Sequence, residues 1–351
     1  EAVPGGIGNV QHIYALSPPQ DGILFHHLLA RKGDPYLIRA QMAFAERAQL
    51  DRYLSAVQRV VDRHAILRTA FVWEGLSLPV QVVWRHAPLS ITEIELDPAA
   101  GPGAEQLRHR YDPQHLRFDL AQPPLLRHVV AKDPEADRWL LLAVHHHLIG
   151  DHSTLELLNE EIEAILAGRE DELPAAEPFR NVVAQARLGA LASEHERYFR
   201  ERLADVDEPV LPFGLAEVRG DGEEVIEAYR VLPQALNDGL RSHARRLGVS
   251  LASLCHVAWG QVVARTSGRE KAVFGTVLLG RMQAGAGADR AMGLVINTLP
   301  LRLDLDGRGV AAGVREAHLR LAGLLQQVQG PLALAHPCSG VGAGRRRFCA
   351  L

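Results

Sequence analysis

The sequence predicts a mixed α/β protein built as two related lobes, and three observations carry that expectation. The chain has 351 residues, which at about one domain per 150 residues suggests two. Strand-like and helical patterns alternate in both halves, on either side of a polar, proline-containing stretch at 168–181. Such a stretch reads as a boundary, dividing the chain into lobes of 1–173 and 174–351. Finally, Trp139 to Val144 is a continuous apolar run of strand length, the pattern of a strand covered on both faces.

Residues 11–34 open with the turn-rich Leu16-Ser17-Pro18-Pro19-Gln20, continue through an apolar run holding His26 and His27, and end at a Gly33-Asp34-Pro35 turn. Leu37 to Phe44 alternates as a strand. Leu50, Leu54, Val57, Val60 and Val61 recur at helical spacing and predict a helix over about 50–63. Thr69–Trp73 and Val80–Val83 read as a hairpin of short strands. After the 139–144 strand comes Ser153-Thr154-Leu155-Glu156, which matches a capping box, and then the stripe Leu155, Leu158, Ile162, Ile165. The unit is therefore a buried strand, a histidine-rich loop and a capped helix, and ligand sites in α/β sheets favour such carboxyl ends of strands. In the second half the pattern predicts a helix over about 182–204, a strand near Glu227–Leu232 and a helix closed by Gly248. A helix capped by Ser250, a strand over Ala272–Leu279, a short strand within 293–301 and a helix over 310–328 complete it.

Composition excludes several classes. The net charge is -4, from 38 basic against 42 acidic residues, whereas a general nucleic-acid binder usually carries a basic excess. No apolar run reaches the roughly 18 residues of a membrane span, and no signal peptide is visible at the start. Cys255, Cys338 and Cys349 lie far apart and form no CxxC pair, which fits a reducing cytosol and predicts a cytoplasmic protein. The 17 histidines are clustered, as His26-His27 and His145-His146-His147, and clusters of the one side chain that titrates near neutrality require an explanation.

His146-His147-Leu148-Ile149-Gly150-Asp151 is the strongest local signal for chemistry. An imidazole can take a proton from an amine as it attacks a carbonyl. Neighbours at a strand end point to opposite faces, so only one of His146 and His147 faces a given cavity. A zinc set drawn from His145, His146, His147, Asp151 and His152 is disfavoured because adjacent ligands suit tetrahedral zinc poorly and neither HExxH nor CxxC is present; no metal is expected. No GxSxG supplies a nucleophile, and Ser153 is read as a cap.

Motif and flanks resemble the condensation domains of non-ribosomal peptide synthetases. The HHxxxDG motif of that family falls on His146, His147, Asp151 and position 152, where this chain has His152 and glycine would permit a backbone geometry that histidine resists. Leu16–Gln20 resembles the opening motif, Arg63–Phe71 (with Arg63 and Arg68) the RHxxLRTxF motif, and Gly293–Arg302 (with Asn297) the GxxxNTLPLR motif. Four ordered matches cover almost the whole chain. His26-His27-Leu28-Leu29-Ala30-Arg31-Lys32-Gly33-Asp34 also resembles the HH[I/L]xxxxGD mark of the dual epimerisation/condensation subtype.

The resemblance implies two chloramphenicol-acetyltransferase-like lobes in a V arrangement, with His147 in a tunnel between them and the second lobe incomplete as given. It implies a transferase of antibiotic-type peptide biosynthesis, joining a peptidyl thioester donor to an aminoacyl thioester acceptor after L-to-D inversion of the donor's last residue. Both substrates would arrive on the 4'-phosphopantetheine of upstream and downstream peptidyl carrier proteins, beside an adenylation domain; no cofactor is bound by the domain itself, and no nucleic acid or membrane is a partner. In this reading His147 takes the amine proton, or holds the amine and stabilises charge in the tetrahedral state, Asp151 holds the loop with Arg281 as an ion-pair partner, and His26, His27, Gly33 and Asp34 belong to epimerisation, for which His147, His26 and His27 are the candidate bases. The other readings are an ordinary condensation domain, a CoA-dependent acyltransferase and a non-catalytic docking module.

Overall fold

The computed structural model describes residues 3–30, 32–188, 192–215, 228–280 and 290–341. The chain divides into one unit of Glu1–Gly189 with Ala284–Val295, and another of Ala190–Gln283 with Ile296–Leu351.

The first unit holds two sheets. In one, β1 (Val10–Ala15), β4 (Val80–Trp84) and β3 (Thr69–Val72) lie antiparallel in that order, so the expected hairpin of β3 and β4 is present. In the other the order is β2 (Leu37–Phe44), β7 (Trp139–His146), β6 (Leu126–Lys132) and β5 (Ser90–Ile94), antiparallel except for the parallel β5–β6 pair. Strand β7 is thus paired on both edges. Leu141 packs with Leu50, Leu54 and Val130 in one cluster, while Leu140, Leu142 and Val144 join a larger one. Both faces are covered, which is why the run does not alternate. Helix α2 (Arg47–Arg63) buries all five apolar positions of its stripe. Helices α1 (Pro18–Leu29) and α3 (Gly103–Arg110) complete the elements that precede β6.

Helix α4 (His152–Leu166) begins earlier than the sequence suggests. Its N-cap is Asp151: the carboxylate accepts from Thr154 N–H at 3.2 Å and the Thr154 hydroxyl oxygen accepts from Asp151 N–H at 3.3 Å. The Ser153–Glu156 box is overturned because an aspartate two residues upstream captures the first free N–H groups, leaving Ser153 inside the first turn. His152 is the first helical residue of α4, a conformation any residue adopts, so the missing motif glycine does not alter the loop.

The polar stretch at 168–181 is a connection within the first unit rather than its end. Helix α5 (Phe179–Leu188) follows it and contributes Phe179, Val182 and Val183 to the same core as β7. The contact-defined division therefore falls later than residue 173. The predicted helix over 182–204 is two helices, α5 and α6 (Ala192–Leu203).

The second unit pairs β8 (Lys271–Leu279) with β9 (Ile296–Asp304), antiparallel from Lys271↔Asp304 to Leu279↔Ile296. Helix α7 (Gln234–Leu247) ends at Gly248 in the left-handed conformation, and α8 (Leu251–Ser267) starts at Ser250, whose hydroxyl accepts from Ser253 N–H at 3.2 Å. Helix α9 (Val310–Leu325) packs with β8, β9 and α6 around Phe199, Val273, Phe274, Leu301 and Leu321. The strand expected near Glu227–Leu232 is not formed over 228–232. Tyr229 and Val231 are 87% and 91% exposed, so no surface buries the alternate side chains that made the segment look strand-like. Among the described residues, no single helix is long and apolar enough to cross a membrane.

Candidate active site

Strand β7 delivers the three histidines, and the pleat separates them. His145 and His146 lie on opposite faces, and His147 opens a short turn beyond the strand. The register Leu37↔His146 brings the Gly33–Asp34 turn, which immediately precedes β2, alongside His146. There the two histidine motifs converge. Asp34 Oδ2 accepts from His27 Nδ1 at 2.8 Å and from His146 Nε2 at 3.1 Å, and Oδ1 accepts from Tyr36 N–H at 3.1 Å. Relative exposure is 3% for His27, 1% for Asp34 and 0% for His146. His146 Nδ1 in turn accepts from Leu148 N–H at 3.1 Å, so the neutral ring carries its hydrogen on Nε2, facing Asp34.

Burial by itself would raise the Asp34 carboxyl. The hydrogen bonds from His146 and His27 prevail, and the group is held well below the usual carboxylate range. His146 is lowered, first by desolvation, with Asp34 opposing. The buried state is therefore an ionised Asp34 receiving N–H bonds from its neighbours.

Gly33 makes this turn feasible. Its φ is +64°, and a Cβ there would lie 2.4 Å from Gln114 O and 2.7 Å from Pro113 O. Both the left-handed backbone and the space exclude a side chain. Gly33→Ala is expected to lower unfolding stability by about 3 kcal/mol, read as a lower midpoint in urea; an unchanged midpoint would refute this assignment.

His147 is half-buried. Its Nδ1–H donates to Gly150 O at 2.8 Å, which leaves Nε2 as the basic nitrogen of the neutral ring, with no hydrogen-bond partner among the described residues. Its backbone N–H donates to Tyr36 O at 2.8 Å. A ring oriented by one nitrogen and open at the other is the arrangement general base catalysis requires. Asp151 is 1% exposed. Besides capping α4, it accepts from Val295 N–H at 3.1 Å, while Thr154 Oγ1 exchanges hydrogen bonds with both backbone groups of Gly293 at 3.0 and 3.1 Å. The carboxylate thus ties the loop to the 293–295 segment. Arg281, its expected ion-pair partner, lies outside the described residues.

Other motif residues hold the frame. Arg63 donates to Glu161 at 3.0 Å and His64 contacts the same carboxylate at 2.9 Å, joining α2 to α4. Arg68 binds the carbonyls of Val61, Trp84 and Arg85. Asn297, in the second unit, donates to Val328 O and Gly330 O, each at 2.8 Å. His26 is exposed, its Nδ1 2.5 Å from the Tyr36 hydroxyl. Three residues that sequence reasoning missed support the loop: Tyr36, Thr154 and Gln20. Fully buried, Gln20 donates to Leu148 O at 2.9 Å and closes the capping box with Ser17. The S-x-x-Q spacing of the opening motif was a readable signal for that box; the reach to Leu148 was not.

His27 Nδ1, Asp34 Oδ2 and His146 Nε2 lie within 4.8 Å of one another, as metal ligands would. His146 carries its hydrogen on Nε2, so with Asp34 as acceptor of both rings the three also form a hydrogen-bonded triad. The zinc set weighed from sequence is not assembled: the histidines of β7 face different ways, and His152, 84% exposed, pairs with Glu156. On the other face of β7, His145 and its diagonal neighbour His128 are buried, with His145 Nε2 and His128 Nδ1 lacking partners among the described residues. Desolvation lowers each to about 4, and for His145 the charges of His147, His146 and His128 add to this.

The condensation-domain family profile matches residues 10–344, and the chain belongs to that family. It is 56% identical over 351 residues to malpinin synthetase of Mortierella alpina, covering 100% of this chain and 4% of that protein. It is 55% identical over 351 residues to malpibaldin synthetase of the same organism, covering 100% of this chain and 6% of that one. The chain is thus a small part of the length of these relatives. Among solved structures it resembles the first condensation domain of the calcium-dependent antibiotic synthetase with substrate analogue 3a, at TM-score 0.72 and 20% identity over 95% of this chain and 79% of that one. The condensation domain of the Monacolin K polyketide synthase MokA gives TM-score 0.73 and 18% identity, over 97% and 78%. The shared mixed α/β fold is the chloramphenicol-acetyltransferase-like one expected from the motifs.

Proposed function

We propose that this domain forms peptide bonds between a peptidyl thioester and an aminoacyl thioester, each carried on the phosphopantetheine of a carrier protein, with an adenylation domain nearby in a longer synthetase. The observation that carries this reading is His147, whose Nδ1 is occupied by Gly150 O and whose Nε2 is open. The acceptor amine attacks the donor thioester carbonyl. A C–N bond forms, the C–S bond breaks, and the proton leaving the amine passes by way of His147 Nε2 to the departing thiolate. No acyl-enzyme is required, and two tethered substrates gain from effective molarity. Asp151 acts by holding the loop.

The same domain, in this reading, first inverts the donor Cα. A thioester acidifies its Cα–H, so a base can remove that proton and the proton can return on the opposite face. Support comes from the joining of the second motif to the first through His27–Asp34–His146 and from exposed His26 on the Tyr36 hydroxyl. Because that triad is fully buried, an ordinary condensation domain in which it only braces His147 is the second reading. Product chirality separates them. With an L-configured donor on its carrier, the expected product carries a D residue at the junction, and His26→Ala returns an L product while coupling continues. An all-L product from the unaltered protein would remove the epimerase and leave the condensation intact.

A further inference from the structure

Between β1, β4, the end of α2 and the start of α5, the first unit contains a cavity of about 200 Å³ lined by His12, Tyr14, Arg63, Arg68, Glu177 and Arg180, among others. It holds none of the residues assigned above to chemistry. Arg68 is 5% exposed. Its Nε and Nη1 are spent on carbonyls and Gln11 Oε1, and no acceptor for Nη2 occurs among the described residues. No carboxylate hydrogen-bonds to it there either, and Asp62 answers the buried guanidinium only through space. Burial lowers it from its usual value, with the charge of Asp62 opposing. A charge so placed is costly unless something answers it.

The surroundings add to that charge. Arg180, in the first turn of α5, has among the described residues only the ring nitrogens of His12 as partners, at 2.8 and 3.2 Å. His12 is itself lowered by burial and by Arg180, Arg85 and Arg68, and a neutral imidazole offers a guanidinium no charge. Arg63 is answered by Glu161, which leaves Arg68 and Arg180 against Glu177. One Glu177 oxygen is already taken by Asn181 Nδ2 at 2.8 Å. Glu177 and Pro178, which immediately precede α5, also line the cavity, and the N-terminus of a helix favours an anion.

We propose that this cavity binds a tetrahedral oxyanion of the phosphate class, held by Arg68 and Arg180 with the α5 N-terminus. The two guanidiniums come from separate elements, the short turn after α2 and the first turn of α5, whereas a flat carboxylate is satisfied by a single arginine fork. A water takes about 30 Å³ of liquid, so the volume admits such a group with its first waters.

The test is calorimetric titration of the chain with inorganic phosphate at fixed ionic strength, chloride replacing it in the control. Saturable one-site binding is expected, weakened at least tenfold in Arg180→Gln and unchanged in Arg315→Gln, an arginine of the second unit. Among the described residues Arg180 binds no backbone carbonyl, so its loss should leave the fold intact; Arg68→Lys, which retains charge but loses the fork, is the second variant and should also weaken binding. Competition by phosphopantetheine would assign the site to a phosphate on a substrate arm, and its failure to a free phosphate. No saturable binding, equal binding by Arg180→Gln, or acetate binding as tightly as phosphate would overturn the proposal.

Discussion

Replacing His147 with alanine is expected to slow peptide-bond formation by about 10²- to 10⁴-fold, the range a positioned general base supplies. The loss should fall on single-turnover coupling, because the variant removes the open Nε2 while Asp151, Gln20 and Asp34 keep the loop in place. Stability should change by only about 1 kcal/mol, the worth of the lost hydrogen bond to Gly150 O. The measurement is rapid-quench transfer from a loaded donor carrier to a loaded acceptor carrier, alongside urea unfolding of both proteins. Coupling at the unaltered rate in a folded variant would favour the non-catalytic docking module.

The second large effect is acid lability between about pH 6.5 and 4. His128 and His145 are lowered to about 4 from 6.5. The unfolded chain therefore binds protons that the folded chain refuses, and stability rises with pH across this window. It is fully present above about 6.5 and lost as pH falls toward 4. Each histidine accounts for about 3 kcal/mol, a large share of the roughly 5–15 kcal/mol of an ordinary domain. His146, lowered in the same direction, adds to the slope. Asp34 acts elsewhere: its carboxyl is depressed from 3.8, so its contribution persists until the pH drops below that value. Urea midpoints at several pH values should fall steeply from pH 7 to 4.5 in the unaltered chain and more shallowly in the His128→Leu/His145→Leu double variant. Equal slopes would show that the pair is not the cause.

The motifs make part of this site legible without coordinates. HHxxxD marks the loop and the apolar run before it marks a central strand, but strand alternation separates His145 from His146, whereas His147 is set apart by the turn that begins at it. Local signals mislead where two of them compete. Ser153 and Glu156 have the spacing of a cap, but Asp151 stands earlier in the chain and takes the helix start. Tyr229, Val231 and their neighbours have strand-like residues but no surface to cover. The polar stretch at 168–181 resembles a linker, yet Phe179, Val182 and Val183 carry the chain back into the first core.

The amino-acid sequence by itself determined the family, the identity of the histidines and most of the longer elements, because periodicity, caps and ordered motifs are written in neighbouring residues. Only the tertiary structure decided that His27 and Asp34 meet His146, which lies 112 positions beyond Asp34, and that Gln20 holds the carbonyl of Leu148. Those contacts follow from β2 pairing with β7 in one register and from α1 packing against the loop beyond it. Register is settled by which apolar faces are buried together, a property of the whole sheet and not of any one segment.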